Sequence, residues 1–199
     1  LYLADLNPDQ DMDDDPSELP PPNPRLLTWV HHEGDALGLA VGGASELYTA
    51  SGAGGVYCFR LAHGSEAPEL HAGWAAPLHA PTLGVAHNEP SHKLAAVSEE
   101  GTLHLLDAAT GKQLAEANAR DSCLFGAHWR SPNVLTTVGS AVLLWDCRAA
   151  TPKAVARFEP AADCSSPQQL GPQLHCAATE PLRKELLAAG SSSGDVFFW

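Results

Sequence analysis

One pattern recurs four times along this chain, and it leaves few folds open. Each copy is an apolar run of about five residues, a turn of small or acidic residues, and a second apolar run ending in an aromatic residue or leucine. The copies are Glu46–Phe59, Lys93–Leu106, Asn133–Trp145 and Glu185–Trp199. This alternation around a short turn is the mark of a β-hairpin. The hairpins end at residues 59, 106, 145 and 199, so the intervals are 47, 39 and 54. A recurrence of about 40–45 residues with four strands per unit marks a β-propeller blade. Loops absorb the unequal intervals.

The remaining strands of each unit can be read from the same alternation. A strand precedes each hairpin at Ala36–Val41, Leu83–His87, Leu124–Trp129 and Leu174–Ala178. Another follows at Glu69–Trp74, Gln113–Ala117 and Ala154–Phe158. Leu26–Val30 reads as the last strand of an earlier unit, beside a stub over residues 1–5. A helical alternative rests on the 32 alanines, and Lys112–Arg120 could be drawn as a short helix. Alanine favours helices and is poor in strands. Glycine and proline interrupt the chain every 8–12 residues, however, and leave few windows of helical length. The expectation is an all-β, WD40-type propeller, partial in extent: about four consecutive blades over 25–199, with third strands ending near 59, 106, 145 and 199.

Charge separates one segment from the rest. Residues 1–24 carry seven acids, no base and six of the 16 prolines. Such a composition cannot bury enough surface to offset its ordering entropy, so residues 6–24 read as an acidic, proline-rich loop. The remainder holds 17 acids against 11 bases, ordinary for a globular domain. A formal net charge of −13 argues against a phosphate-backbone binder, which needs a basic footprint. No apolar run reaches the ~18–20 residues of a membrane-spanning helix. The start, Leu1-Tyr2-Leu3-Ala4-Asp5, has no basic n-region or apolar h-region. The only methionine is Met12, which suggests a fragment. Five cysteines without a C-x-x-C pair fit no closed disulfide framework, and reduced thiols suggest a cytosolic or nuclear setting.

No constellation points to catalysis, a metal or a cofactor. His31-His32-Glu33-Gly34-Asp35 has ligand-type side chains, but neighbours on an extended chain point oppositely; it reads as a polar loop whose Gly-Asp turns into a strand. Asp9–Asp15 resembles the start of an EF-hand, yet Asp14 stands where glycine is needed and Pro20 where glutamate is needed. Gly52–Gly55 lacks the Lys-Ser/Thr of a phosphate loop and reads as a hairpin turn. No G-x-S-x-G elbow occurs, and His87, His104, His128 and His175 fall at strand positions. The residues themselves lead to a non-enzymatic binding platform.

Trp145-Asp146 closes the third hairpin, and Trp199 stands where the same dipeptide would form. The chain resembles the WD40-repeat family on these residues. In that family the tryptophan belongs to a Trp–Ser/Thr–His–Asp network that braces the blade. The resemblance gives Ser98 and Thr137 the Ser/Thr place and makes Trp145, Asp146 and Trp199 structural positions. The usual Gly-His before the first strand is absent, so packing must hold the blades with little help from the network.

The ordered segments His31–Asp35, Val97–Leu105, Leu144–Arg148, Leu174-His175-Cys176 and Ser193–Trp199 narrow the resemblance to WD40 nucleoporins of the Y-shaped outer-ring complex of the nuclear pore. It implies a seven-bladed ring of which this chain supplies the end of blade one and blades two to five. It also implies a structural scaffold at the nuclear envelope, with kinetochore association in mitosis. The implied partners are an eighty-five-kilodalton α-solenoid nucleoporin and a second WD40 subunit. Four blades without the rest of a ring would expose two apolar faces and be prone to aggregate. Trp145-Asp146-Cys147-Arg148 also resembles the end of WD40 receptors of cullin-RING ubiquitin ligases; Trp145, Asp146 and Arg148 would then dock the ligase adaptor.

Overall fold

A computed structural model describes residues 4–5, 25–26, 32–43, 45–63, 68–120, 123–160, 173–179 and 186–199. Leu1–Leu3, the acidic segment 6–24, residues 27–31 and Cys164 lie outside them, as do the EF-hand-like run and the stub's first residues.

The described chain is built of antiparallel meanders. The first sheet holds β3 (Ala36–Gly42), β4 (Glu46–Ser51), β5 (Gly55–His63) and β6 (Pro68–Pro77), after the short pair β1 (Ala4–Asp5) and β2 (Arg25–Leu26). The second holds β7 (Thr82–Asn88), β8 (Lys93–Ser98), β9 (Thr102–Asp107) and β10 (Gln113–Asn118). The third holds β11 (Gly126–Ser131), β12 (Val134–Val138), β13 (Val142–Asp146) and β14 (Lys153–Phe158). The fourth has three described strands: β15 (Leu174–Thr179), β16 (Leu187–Ser191) and β17 (Val196–Phe198). In each sheet, neighbours in sequence are neighbours in space. The segment 112–120 that could be drawn as a helix contains β10, and the sole helical piece among the described residues is the 3-10 turn Glu89–Ser91. Paired apolar faces, which a strand serves and a short Ala-rich helix does not, decide that competition.

Register makes the four sheets superimposable by residue. Leu47, Leu94 and Leu135 pair with Phe59, Leu106 and Trp145, and Leu187 exchanges both backbone hydrogen bonds with Trp199. All four leucines are buried. Each sheet thus turns one face, headed by this leucine, to the sheet before it. The other face, carrying Tyr48, Val97 or Val142, meets the sheet after it.

Consecutive sheets meet through their first strands. Glycine makes that approach possible. A Cβ on Gly38 would lie 2.9 Å from the Gly84 Cα, and one on Gly84 would lie 3.1 Å from the Gly126 Cα. These three glycines hold one register position, paired with Ala50, Val97 and Val138. In the fourth sheet Cys176, paired with Gly190, takes that position. The fourth strands repeat a feature of their own. Register breaks set Gly73, Leu114 and Val155 out of the ladder at matching places, and such bulges protect a sheet edge from unwanted pairing.

Three apolar clusters fill the seams between sheets one and two, two and three, and three and four. Among the described residues the first and fourth sheets do not pack on each other. Their outward faces carry exposed aliphatic and aromatic side chains: Leu39 and Val41 (68 % exposed) on β3, Val196 and Phe198 (63 %) on β17.

Candidate functional site

The residues with polar chemistry to spare sit at the bracing positions of the sheets, and each sheet uses them differently. In the third sheet the buried Trp145 Nε1 donates to Thr137 Oγ1 at 2.9 Å. Thr137 lies one same-face step along β12 from Leu135, the register partner of Trp145. Indole and hydroxyl therefore meet across two hydrogen-bonded strands. The second sheet has Ala96 and Leu106 at the equivalent places and no polar bond there.

In the first sheet, Thr49 holds the place of Thr137 and Phe59 that of Trp145. A phenyl ring cannot donate, and Thr49 is served instead by His32, whose Nε2 lies 2.7 Å from Thr49 Oγ1. The His32 ring packs edge-on against Tyr57 with centroids 4.9 Å apart. So the Gly-His dipeptide is missing from the sequence, but a histidine before the first strand does the same bracing. The polar loop 32–35 is shaped for this. Gly34 has φ +72°, and a Cβ there would sit 2.8 Å from the Ala53 Cβ. Ser51 Oγ donates to the Glu33 carbonyl at 2.6 Å.

Ser98 has a different task from the one the family resemblance gave it. Its Oγ accepts the Thr102 N–H at 3.2 Å and closes the β8–β9 turn. Ser51 and Ser191 do the same for Ala53 and Asp195. A serine hydroxyl at a strand end finds the orphan N–H groups of the turn more readily than an indole across the sheet. In the fourth sheet Trp199 occupies the Trp145 place, but Ala189 faces it and offers no hydroxyl. Its ring stacks on Phe197 and packs on Phe158.

Asp146 points outward at the end of β13. Its Oδ1 accepts the Arg148 backbone N–H at 3.0 Å and Nε at 2.9 Å. The Arg148 guanidinium pulls the carboxyl down to about 2 while itself staying 74 % exposed. Asp107, the same position in the second sheet, accepts the Thr110 hydroxyl and N–H and is lowered by them. The aspartate of the Trp-Asp dipeptide therefore caps the turn after the third strand. Trp145 is buried beside it, so of the three adaptor-docking candidates only Arg148 is freely presented.

The other tryptophans tie sheets together. Trp74 Nε1 donates to the Ala108 carbonyl at 3.1 Å; the Tyr48 hydroxyl lies 3.3 Å from the same oxygen and has Glu46 Oε2 as its nearer acceptor at 2.7 Å. Trp129 Nε1 donates across the next seam to the Ala86 carbonyl at 3.1 Å. His87 packs on Tyr48, and burial lowers its imidazole below the ordinary value. Cys58 and Cys147 are buried thiols, and burial raises Cys147 to about 11. Among the described residues, no three His, Cys, Asp or Glu side chains gather as metal ligands.

No family model matches this chain, and no curated protein matches it. Solved structures do. The computationally designed Ika4 protein superimposes with a TM-score of 0.67 at 12 % identity, over 88 % of this chain and 97 % of that one. BamB from Moraxella catarrhalis gives 0.64 at 13 % identity, covering 87 % of this chain and 49 % of its own. The β-propeller domain of Myceliophteria thermophila Cps50 (Swd1) gives 0.66 at 11 % identity, covering 84 % and 52 %. The fold is a β-propeller. The four described sheets form part of one: the chain spans about half the length of BamB and of the Swd1 domain. At these identities the likeness speaks to fold, not to activity.

Proposed function

We propose that this chain belongs to a non-enzymatic scaffold subunit, a WD40-type propeller that presents protein-binding surfaces. The observation that carries this reading is where the polar side chains go. Thr49, His32, Thr137, Ser98 and Asp146 are all engaged in bracing strands and turns. Stiffness is what a docking platform needs, because a pre-ordered surface loses little entropy on binding.

The finer reading follows the ordered motifs of the sequence. We place the protein with the forty-three-kilodalton WD40 nucleoporin of the Y-shaped outer ring. Its partners would be the eighty-five-kilodalton α-solenoid nucleoporin and a second WD40 subunit, at the nuclear envelope and, in mitosis, the kinetochore. The test is affinity purification of the tagged protein from interphase cells with mass spectrometry. Stoichiometric outer-ring nucleoporins are the expected result; their absence overturns the assignment.

A second reading has one observation of its own. Arg148 is exposed and held by Asp146 directly after a buried Trp145, as a docking arginine would be. A ligase receptor predicts co-purification of cullin-4 and its adaptor, lost in Arg148→Ala. Capture unaffected by that substitution removes the reading.

A further inference from the structure

We draw no further inference here: the strongest candidate, the pair of outward apolar faces on the first and fourth sheets, is open at unmatched strands, Leu39 and Val41 on the first strand of one and Val196 and Phe198 on the third strand of the other, and nothing in the structure shows what covers it.

Discussion

The seams between the first three sheets and the seam before the fourth are built from the same register positions to different tolerances. In the first two, glycine backbones touch: Gly38 against Gly84, and Gly84 against Gly126. Tryptophan then bonds across to a backbone carbonyl. In the third, a Cβ on Gly126 would come no nearer to the fourth sheet than 3.6 Å, at the His175 carbonyl. Thr136 stands where the first sheet has Tyr48, and a cleft of about 220 Å³ lies between Gly126, Thr136 and Val138 of the third sheet and Ala177 of the fourth. The lesson is that a propeller seam is set from its inner strand outward. Where the inner strands touch, the outer side chains can seal the seam; where they stand apart, small side chains leave space.

Truncating a leading-face leucine gives the largest effect. Leu94→Ala, in the closely packed first seam, should cost about 3–5 kcal/mol. Leu187→Ala, at the same register in the looser seam, should cost about 2–3 kcal/mol because neighbours can collapse into the space. Urea unfolding midpoints check this, and equal losses would break the comparison. Adding a methyl group should rank the seams in the same order. Gly84→Ala meets backbone atoms of Phe125 and Gly126 at 3.1 Å and should cost about 1–3 kcal/mol. Gly126→Ala meets only the Val138 side chain that closely and should cost under about 1 kcal/mol. A larger loss for Gly126→Ala, read from thermal unfolding, would mean that the third seam closes in solution.

Much of the fold was legible because strand alternation and turn chemistry are local. Glu46–Phe59 and Lys93–Leu106 declare two strands and a turn without reference to the rest of the chain. The bracing was less legible because it depends on register. Thr137 and Trp145 were paired by family pattern, and geometry brings them together. Ser98 is two residues past the bracing position, which Ala96 holds, a distinction no composition reveals. His32 was passed over because its partner Thr49 lies 17 residues away. A repeated signal could have exposed the seams: Leu37-Gly38, Leu83-Gly84 and Phe125-Gly126 place glycine after an apolar residue in three first strands. The break at His175-Cys176 marks the sheet that differs.

Bracing substitutions should be smaller in effect and unequal. Thr137→Val leaves a buried indole N–H unpaired and should cost about 1–2 kcal/mol. Thr49→Val releases His32, whose ring is only half-buried and can turn to water, so the loss should stay under about 1 kcal/mol. Introducing the missing hydroxyl with Ala189→Ser offers Trp199 an acceptor and should raise stability by at most about 1 kcal/mol. A double-mutant cycle on Thr137 and Trp145 should show coupling, and Ala189→Ser should show none in the Trp199→Phe background.

The subtlest contrast is in acid sensitivity, and it resides in the first seam. His104 is 6 % exposed on the face of the second sheet that meets the first. Its Nδ1 has no hydrogen-bond partner, and the nearest carboxylate oxygen, Glu116 Oε2, is 3.6 Å away. Burial lowers the imidazole below its ordinary value; His79 adds to this, while Glu116 and Gln113 oppose it. A histidine with a lowered folded-state value is held neutral in the native protein and takes up a proton more readily when unfolded. Its contribution is therefore complete above the unfolded value of about 6.5 and is lost as pH falls through the lower folded value. Melting temperature should drop between pH 7 and 5. His104→Leu should flatten that drop, because leucine fills the site without a group to protonate, whereas Glu116→Gln should steepen it by removing the one opposing charge. His87, lowered by burial beside Tyr48, adds a parallel dependence that remains in both variants. An unchanged pH profile in His104→Leu would assign the sensitivity to His87 alone and move it from the second sheet's third strand to its first.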